Sequence, residues 1–185
     1  MVNALVETGT LELCERLEVV EWLGITPIFQ DLEGPILTRL AGLFQLVECG
    51  ADVALCEAGR PADSFWIIVH GRVHVSRPSD FGFPATMVQV ATVSDDGDMP
   101  FFGETAVLEG SALSSSSRRR GPALSEVTVI TDRPSQLLRV SRDNAHAFMS
   151  TVPQFKGTLR AHKMQLQQLS ATFLQAHIAE RRRGD

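Results

Sequence analysis

Apolar residues recur at helical spacing in the first part of the chain. The N-terminal stripe consists of Leu11, Cys14, Leu17, Val20 and Leu23. It predicts a helix from about Glu7 to Leu23 that stops at Gly24. After a short turn with two apolar anchors at Ile28 and Phe29, a second helix should start near Asp31. Pro35 lies in the first turns of that helix, where a proline is tolerated.

From Gln45 the pattern changes from helical spacing to short alternating segments. The predicted strands are 52–56, 65–69, 72–75, 87–93, 127–130 and 136–140. Glycine, proline and acidic residues, which favour turns, lie between these segments, for example at Gly50, Gly71 and Asp95–Asp98. Many short strands with regular turn signals predict a mainly β fold, an antiparallel β-roll of the double-stranded β-helix or jelly-roll type.

Helical spacing returns after Ser141, a good N-cap, with Ala145, Phe148 and Met149 on the apolar side. Pro153 breaks this helix, and a last apolar stripe predicts another from about residue 154 to 183. We therefore divide the chain into an N-terminal helical segment (1–44), a β-roll (45–140) and C-terminal helices (141–185). Residues 111–122, rich in Ser and Arg, show no periodicity and are expected to form a mobile loop.

Composition and charge narrow the class of partner. The chain has 44% hydrophobic and 21% charged residues, as expected for a globular protein, and a net charge of −5. Nucleic-acid binders carry a broad basic excess, so we expect no nucleic-acid partner. The clusters Arg118–Arg120 and Arg181–Arg183 are interpreted as solvated loop and tail residues.

The sequence also bears on location. No stretch of about 18 apolar residues is present, so we predict no membrane span. The N-terminus has no signal-peptide pattern, and Cys14, Cys49 and Cys56 lack the close spacing of zinc sites. We interpret the cysteines as buried small side chains of a reducing compartment and expect the protein in the cytoplasm.

The sequence gives little indication of a metal site or a catalytic site. His70 and His74 lie four residues apart and would share a strand face, as in a metal-binding cupin, but no third ligand is near and Gly71 separates them. Asp95–Asp98 lacks the closing Glu of a calcium loop. Because no nucleophile and base can be paired from the sequence, we expect neither an enzyme nor a bound cofactor.

Two runs carry a family resemblance. The first, 57–73, is a Gly-bearing turn leading into a hairpin that reverses at Gly71, and the second, 97–108, contains Phe102-Gly103-Glu104. Two such runs in this order, between helices, resemble the cyclic nucleotide-binding domain family. The second run is similar to the phosphate-binding cassette of that family. It departs from that cassette by an inserted Met99-Pro100. The resemblance covers nearly the whole chain.

The resemblance implies a ligand site. Its residues would be Phe102, Gly103, Glu104, Thr105, Ala106, Arg120, Ala123, Leu124 and Ser125. Gly103 permits close backbone approach because it has no Cβ. Glu104 would accept hydrogen bonds from ribose hydroxyls, and the alternative is an acid that merely complements a helix end. The implied ligand is cAMP or cGMP, with a purine nucleoside as the alternative.

One departure concerns the phosphate. The family has an arginine just before the strand that follows the cassette, and alignment backwards from Val127 places Ala123 there. Either a loop arginine such as Arg120 replaces it, or the phosphate has no partner. We expect weakened cyclic nucleotide binding, since a charged bidentate contact is lost.

Two functions therefore stay open at this point. The chain is either a regulatory module whose ligand moves the C-terminal helices, or a degenerate domain that serves as a protein-interaction scaffold. In both, the effector would be a protein on a separate chain or a missing domain. Phe173, Leu174 and His177 are candidates to cap a bound base. An enzyme of cupin type is the remote third alternative.

Overall fold

The computed structural model describes residues 6–7, 13–77, 85–90, 101–108, 123–152, 155–161 and 164. The strands are β1 (Val6–Glu7), β2 (Gln45–Cys49), β3 (Ala54–Cys56), β4 (Ser64–His70), β5 (Arg72–Arg77), β6 (Ala85–Val90), β7 (Phe101–Phe102), β8 (Thr128–Thr131) and β9 (Ser135–Ser141). The helices are α1 (Leu13–Ile25), α2 (Gly34–Ala41), α3 (Glu104–Leu108) and α4 (Arg142–Thr151), and residues 155–161 are again helical.

The strands form two antiparallel sheets. One has the order β1-β2-β9-β4-β7, and the other has the order β3-β8-β5-β6. A cluster of buried residues from both sheets, including Val47, Ile68, Val73 and Val129, fills the space between them. The predicted antiparallel β-roll with flanking helices is confirmed.

β4, which lies between β9 and β7 in its sheet, is buried along almost its whole length. Successive side chains of a strand point to opposite faces. Phe65 and Ile67 therefore pack in the core that includes the helices, whereas Trp66 and Ile68 pack inside the roll. This double burial explains why the segment shows a continuous apolar run instead of alternation.

The N-terminal segment differs from its prediction. Glu7, the predicted start of the first helix, pairs with Val47 in a short strand, and α1 begins at Leu13. An otherwise open edge of β2 is thereby paired. Nor does α1 stop at Gly24: it ends at Ile25, after which the buried Thr26 donates from Oγ1 to the Trp22 carbonyl at 2.7 Å.

The helices on both sides of the roll meet in one core. Phe29 is buried and contacts the rings of Phe44, Phe148 and Phe155 at centroid distances of 6.3, 6.1 and 5.2 Å. α2 begins at Gly34, later than predicted, and Pro35 lies in its first turn as expected. The Ser141 hydroxyl accepts from the Asn144 amide at 3.3 Å, so the predicted N-cap of α4 is confirmed.

The two histidines do not share a strand face. His70 ends β4 in one sheet and His74 lies in β5 of the other, because the chain passes from one sheet to the other at Gly71, where φ is +116°. β4 pairs with β9 and β5 pairs with β8, so the predicted hairpin between these two strands is wrong. His74 Nε2 instead lies 2.8 Å from Asp132 Oδ1, and this hydrogen bond is the main cause that lowers the pKa of Asp132. No group of three potential metal ligands occurs among the described side chains.

Several predictions fall outside the described residues. They concern the Ser/Arg-rich segment 111–122 with Arg118–Arg120, the turn Asp95–Asp98, the insert Met99-Pro100 and the capping candidates Phe173, Leu174 and His177. Within the described ranges, no helix is long and apolar enough to cross a membrane.

Candidate functional site

A cavity of about 270 Å³ opens at one end of the roll. Its walls come from β3, the turn after it, the start of β4, the start of α3 and the residues before β8. The lining residues are Ala54, Leu55, Cys56, Glu57, Arg60, Pro61, Ala62, Asp63, Ser64, Trp66, Gly103, Glu104, Thr105, Ser125 and Val127. Both runs that carry the family resemblance thus contribute to one cavity.

Gly103 allows the cassette backbone to pass directly over β4. Its φ of +90° lies in the region that favours glycine. A Cβ at this position would lie 2.5 Å from the Ser64 carbonyl oxygen and 3.2 Å from Phe65 Cα. This close approach places the next residue, Glu104, on the cavity wall.

Glu104 is a buried acid, with 7% of its surface exposed. It begins α3, a helix of five residues whose Ala106 and Val107 are buried in the core shared with the helices. Buried carboxylates are uncommon unless a specific interaction holds them. The position of this side chain on a cavity wall makes it the prime candidate for ligand contact.

The segment before β8 is held by the turn after β3. Ala62 N donates to Ala123 O at 2.8 Å, Ser125 N donates to Arg60 O at 2.8 Å, and Gly59 N donates to Ser125 O at 2.9 Å. In this arrangement Ser125 lines the cavity, whereas Ala123 and Leu124 do not. Leu124 is 50% exposed.

The structure therefore brings together part of the predicted site. Gly103, Glu104, Thr105 and Ser125 line the cavity. Phe102 and Ala106 are buried beside it in the two cores. Ala123 and Leu124 lie next to the cavity without lining it, and Arg120 is outside the described residues.

A row of three side chains crosses the sheet, and two of them, Trp66 and Arg139, were not predicted as part of the site. Trp66 pairs in register with Phe102 on one side and with Arg139 on the other. Its ring stacks on Phe102 at 6.0 Å, and the Arg139 guanidinium lies 5.5 Å from its centroid. Arg139 Nε also donates to Ser64 Oγ at 2.8 Å. The sequence does contain a signal for Arg139, since it is a charged residue within the apolar run of β9.

Acidic groups outnumber basic ones among the described residues of the cavity walls. Glu57 and Arg60 are 3.6 Å apart and both well exposed, and Asp63 lies 4.0 Å from Arg139. Burial raises the pKa of the Cys56 thiol, whose Sγ lies 3.7 Å from the Val127 carbonyl. The thiol is therefore held in its neutral form and adds no charge to the cavity.

No protein-family model matches the chain, and no curated protein is similar to it in sequence. Solved structures do match. The regulatory domain of Toxoplasma gondii PKA, crystallised with cAMP, is 19% identical with a TM-score of 0.58 over 75% of this chain and 46% of that one. The sensor domain of the transcriptional regulator DNR from Pseudomonas aeruginosa is 19% identical with a TM-score of 0.60, covering 83% and 91%.

The chain has the cyclic nucleotide-binding domain fold. A third match, the regulatory subunit of a cAMP-independent protein kinase A from Trypanosoma cruzi bound to guanosine, is 17% identical with a TM-score of 0.59, covering 78% of this chain and 44% of that one. The resemblance seen in the sequence is thus confirmed at the level of the fold. The chain spans about half the length of the two kinase-related chains.

Proposed function

We propose that this cyclic nucleotide-binding fold serves as a regulatory ligand-binding module, with no catalytic activity and no resident cofactor. A ribose-bearing ligand, either a nucleoside or a cyclic nucleotide, would occupy the cavity at the end of the roll. In support, a chain of the same fold binds cAMP in one solved structure and guanosine in another. The proposed location is the cytoplasm.

The observation that carries this proposal is the buried carboxylate of Glu104 on the cavity wall. A carboxylate accepts hydrogen bonds from two adjacent hydroxyls, as a ribose presents them. Bonds to a charged group shielded from water contribute about 1.5–3 kcal/mol. Gly103 supports this role because its missing Cβ lets the backbone before Glu104 approach β4.

The same short helix connects the cavity to the C-terminal helices. Arg142 Nε at the start of α4 donates to the carbonyl of Ala106 in α3 at 3.2 Å. A ligand that donates hydrogen bonds to Glu104 would favour one position of α3 and hence one position of α4. An effector protein, on a separate chain or in a further domain, would detect that change.

Calorimetric titration with adenosine, guanosine, inosine, cAMP and cGMP tests the proposal. Glu104→Gln, which keeps the shape and removes the charge, should weaken the best ligand about ten- to hundredfold. Glu57→Gln is the matched control, since this exposed acid lines the same cavity and should change affinity by less than about threefold.

Two results would contradict the proposal. The first is unchanged affinity in a folded Glu104→Gln variant, which would place the ribose elsewhere. The second is the absence of binding by all five compounds, which would favour the protein-interaction scaffold. Circular dichroism of each variant shows whether the fold is retained.

A further inference from the structure

The charge around the cavity bears on which ribose-bearing ligand it accepts. We propose that the cavity selects an uncharged nucleoside over the corresponding cyclic nucleotide. This inference rests on the proposed function and narrows its ligand class. Three features carry it: the residue that faces the cavity before β8, the charges of the walls and the arrangement of the nearby guanidinium groups.

Ser125 is the residue that the segment before β8 presents to the cavity. Its hydroxyl donates to the Val127 carbonyl at 2.7 Å and lies 3.3 Å from the Val127 amide, so the side chain is folded back on its own backbone. A short, neutral side chain held in this way offers no charge to a phosphate. The alignment places Ala123, which is also neutral, at the position of the family's arginine, and this residue lies next to the cavity without lining it.

The walls themselves favour a ligand without negative charge. In the part of the chain that the structure describes, they carry three carboxylates, Glu57, Asp63 and Glu104, and one guanidinium, Arg60. Like charges repel, and the repulsion is stronger beside a buried carboxylate than in water. A phosphodiester that shares the cavity with Glu104 therefore experiences repulsion that a nucleoside does not.

Among the residues that the structure describes, the two guanidinium groups near the cavity have protein partners. Arg60 lies 3.6 Å from Glu57 on the exposed rim. Arg139 stacks on Trp66, donates to Ser64 and lies 4.0 Å from Asp63. Both cations thus compensate acids of the wall, and recruiting either to a phosphate would require breaking these contacts.

The experiment compares each nucleoside with its own 3′,5′-cyclic monophosphate by calorimetry. Adenosine or guanosine should bind wild-type protein at least about tenfold more tightly than cAMP or cGMP, a difference of about 1.4 kcal/mol. Raising the salt concentration should narrow this gap, because screening weakens the repulsion of the phosphate.

Three variants locate the effect. Ser125→Arg should strengthen cyclic nucleotide binding about tenfold or more and change nucleoside binding by less than about threefold. Ser125→Gln adds bulk without charge, so the difference in cyclic nucleotide affinity between the two variants measures the effect of the charge alone. Ala123→Arg adds the same charge two residues away, outside the cavity lining, and should strengthen cyclic nucleotide binding less than Ser125→Arg does.

The outcomes separate this inference from the proposed function. Tighter binding of cAMP or cGMP than of the matching nucleoside to wild-type protein would overturn the inference and leave the proposed function standing. Binding of neither class would overturn both. An equal gain from Ala123→Arg and Ser125→Arg would refute the assignment of Ser125 as the residue that faces the phosphate position.

Discussion

Gly103 offers the sharpest test of how the site is built, because alanine at this position would suffer two separate penalties. The φ of +90° is unfavourable for a residue with a Cβ, at about 1–2 kcal/mol. The new Cβ would also lie 2.5 Å from the Ser64 carbonyl, and overpacking typically costs about 1–3 kcal/mol. Gly103→Ala should therefore lower the free energy of unfolding by about 2–5 kcal/mol, a large part of the stability of a domain.

Two other glycines separate these contributions. Gly59 has a φ of +79°, and no atom lies within 4 Å of the point where a Cβ would be, so Gly59→Ala should show the backbone penalty alone. Gly50 has open space and no positive φ, and Gly50→Ala should be neutral or slightly stabilising. Urea unfolding followed by circular dichroism measures all three. If Gly103→Ala is no more destabilising than Gly59→Ala, the close approach to β4 is not what positions Glu104.

Two further substitutions probe the row across the sheet and the helix that follows it. Arg139→Gln should lower the free energy of unfolding by about 1–3 kcal/mol, because it removes the contact with Trp66 and the charged bond to Ser64; a urea midpoint equal to wild type would contradict this. Burial, with a smaller effect of Arg142, lowers the pKa of His146. The unfolded chain then binds the proton more readily, so stability should fall as pH drops below about 6.5, and His146→Gln should reduce that loss between about pH 7.5 and pH 5.5. Identical pH profiles for the two proteins would refute the assignment.

The fold was predictable where local signals and burial agree. β4, its end before Gly71 and the cap at Ser141 each combine an apolar pattern with a residue suited to a turn or helix start. The hairpin predicted at Gly71 does not form, because β4 and β5 pair with β9 and β8 instead of with each other. The strand pairing of Glu7 was not predictable in this way, because it depends on the open edge of β2, about forty residues further along the chain. A helical spacing of apolar residues does not reveal where such an edge requires a partner.

In the candidate site, too, a local pattern was predictable and a feature that depends on distant contacts was not. Glu104 is identifiable because the Phe-Gly-Glu run is a local pattern, and the structure places it on the cavity wall. The alignment that puts Ala123 at the phosphate position counts residues backwards from a strand. In the structure, the chain before β8 is held by bonds from Ser125 to Gly59 and Arg60 and from Ala123 to Ala62, more than sixty residues earlier. Those distant bonds decide which side chain faces the cavity.

The arrangement of contacts around α3 gives a physical reason for the coupling that we propose between the ligand and the C-terminal helices. Glu104, on the cavity wall, and Ala106, whose carbonyl accepts from Arg142, lie two residues apart in a helix of five residues. So short a helix has little internal hydrogen bonding to absorb a displacement of its first residue. Its buried Val107 belongs to the same core as Phe148 of α4. A shift of Glu104 toward a ligand would therefore displace the contacts that hold α4 as well.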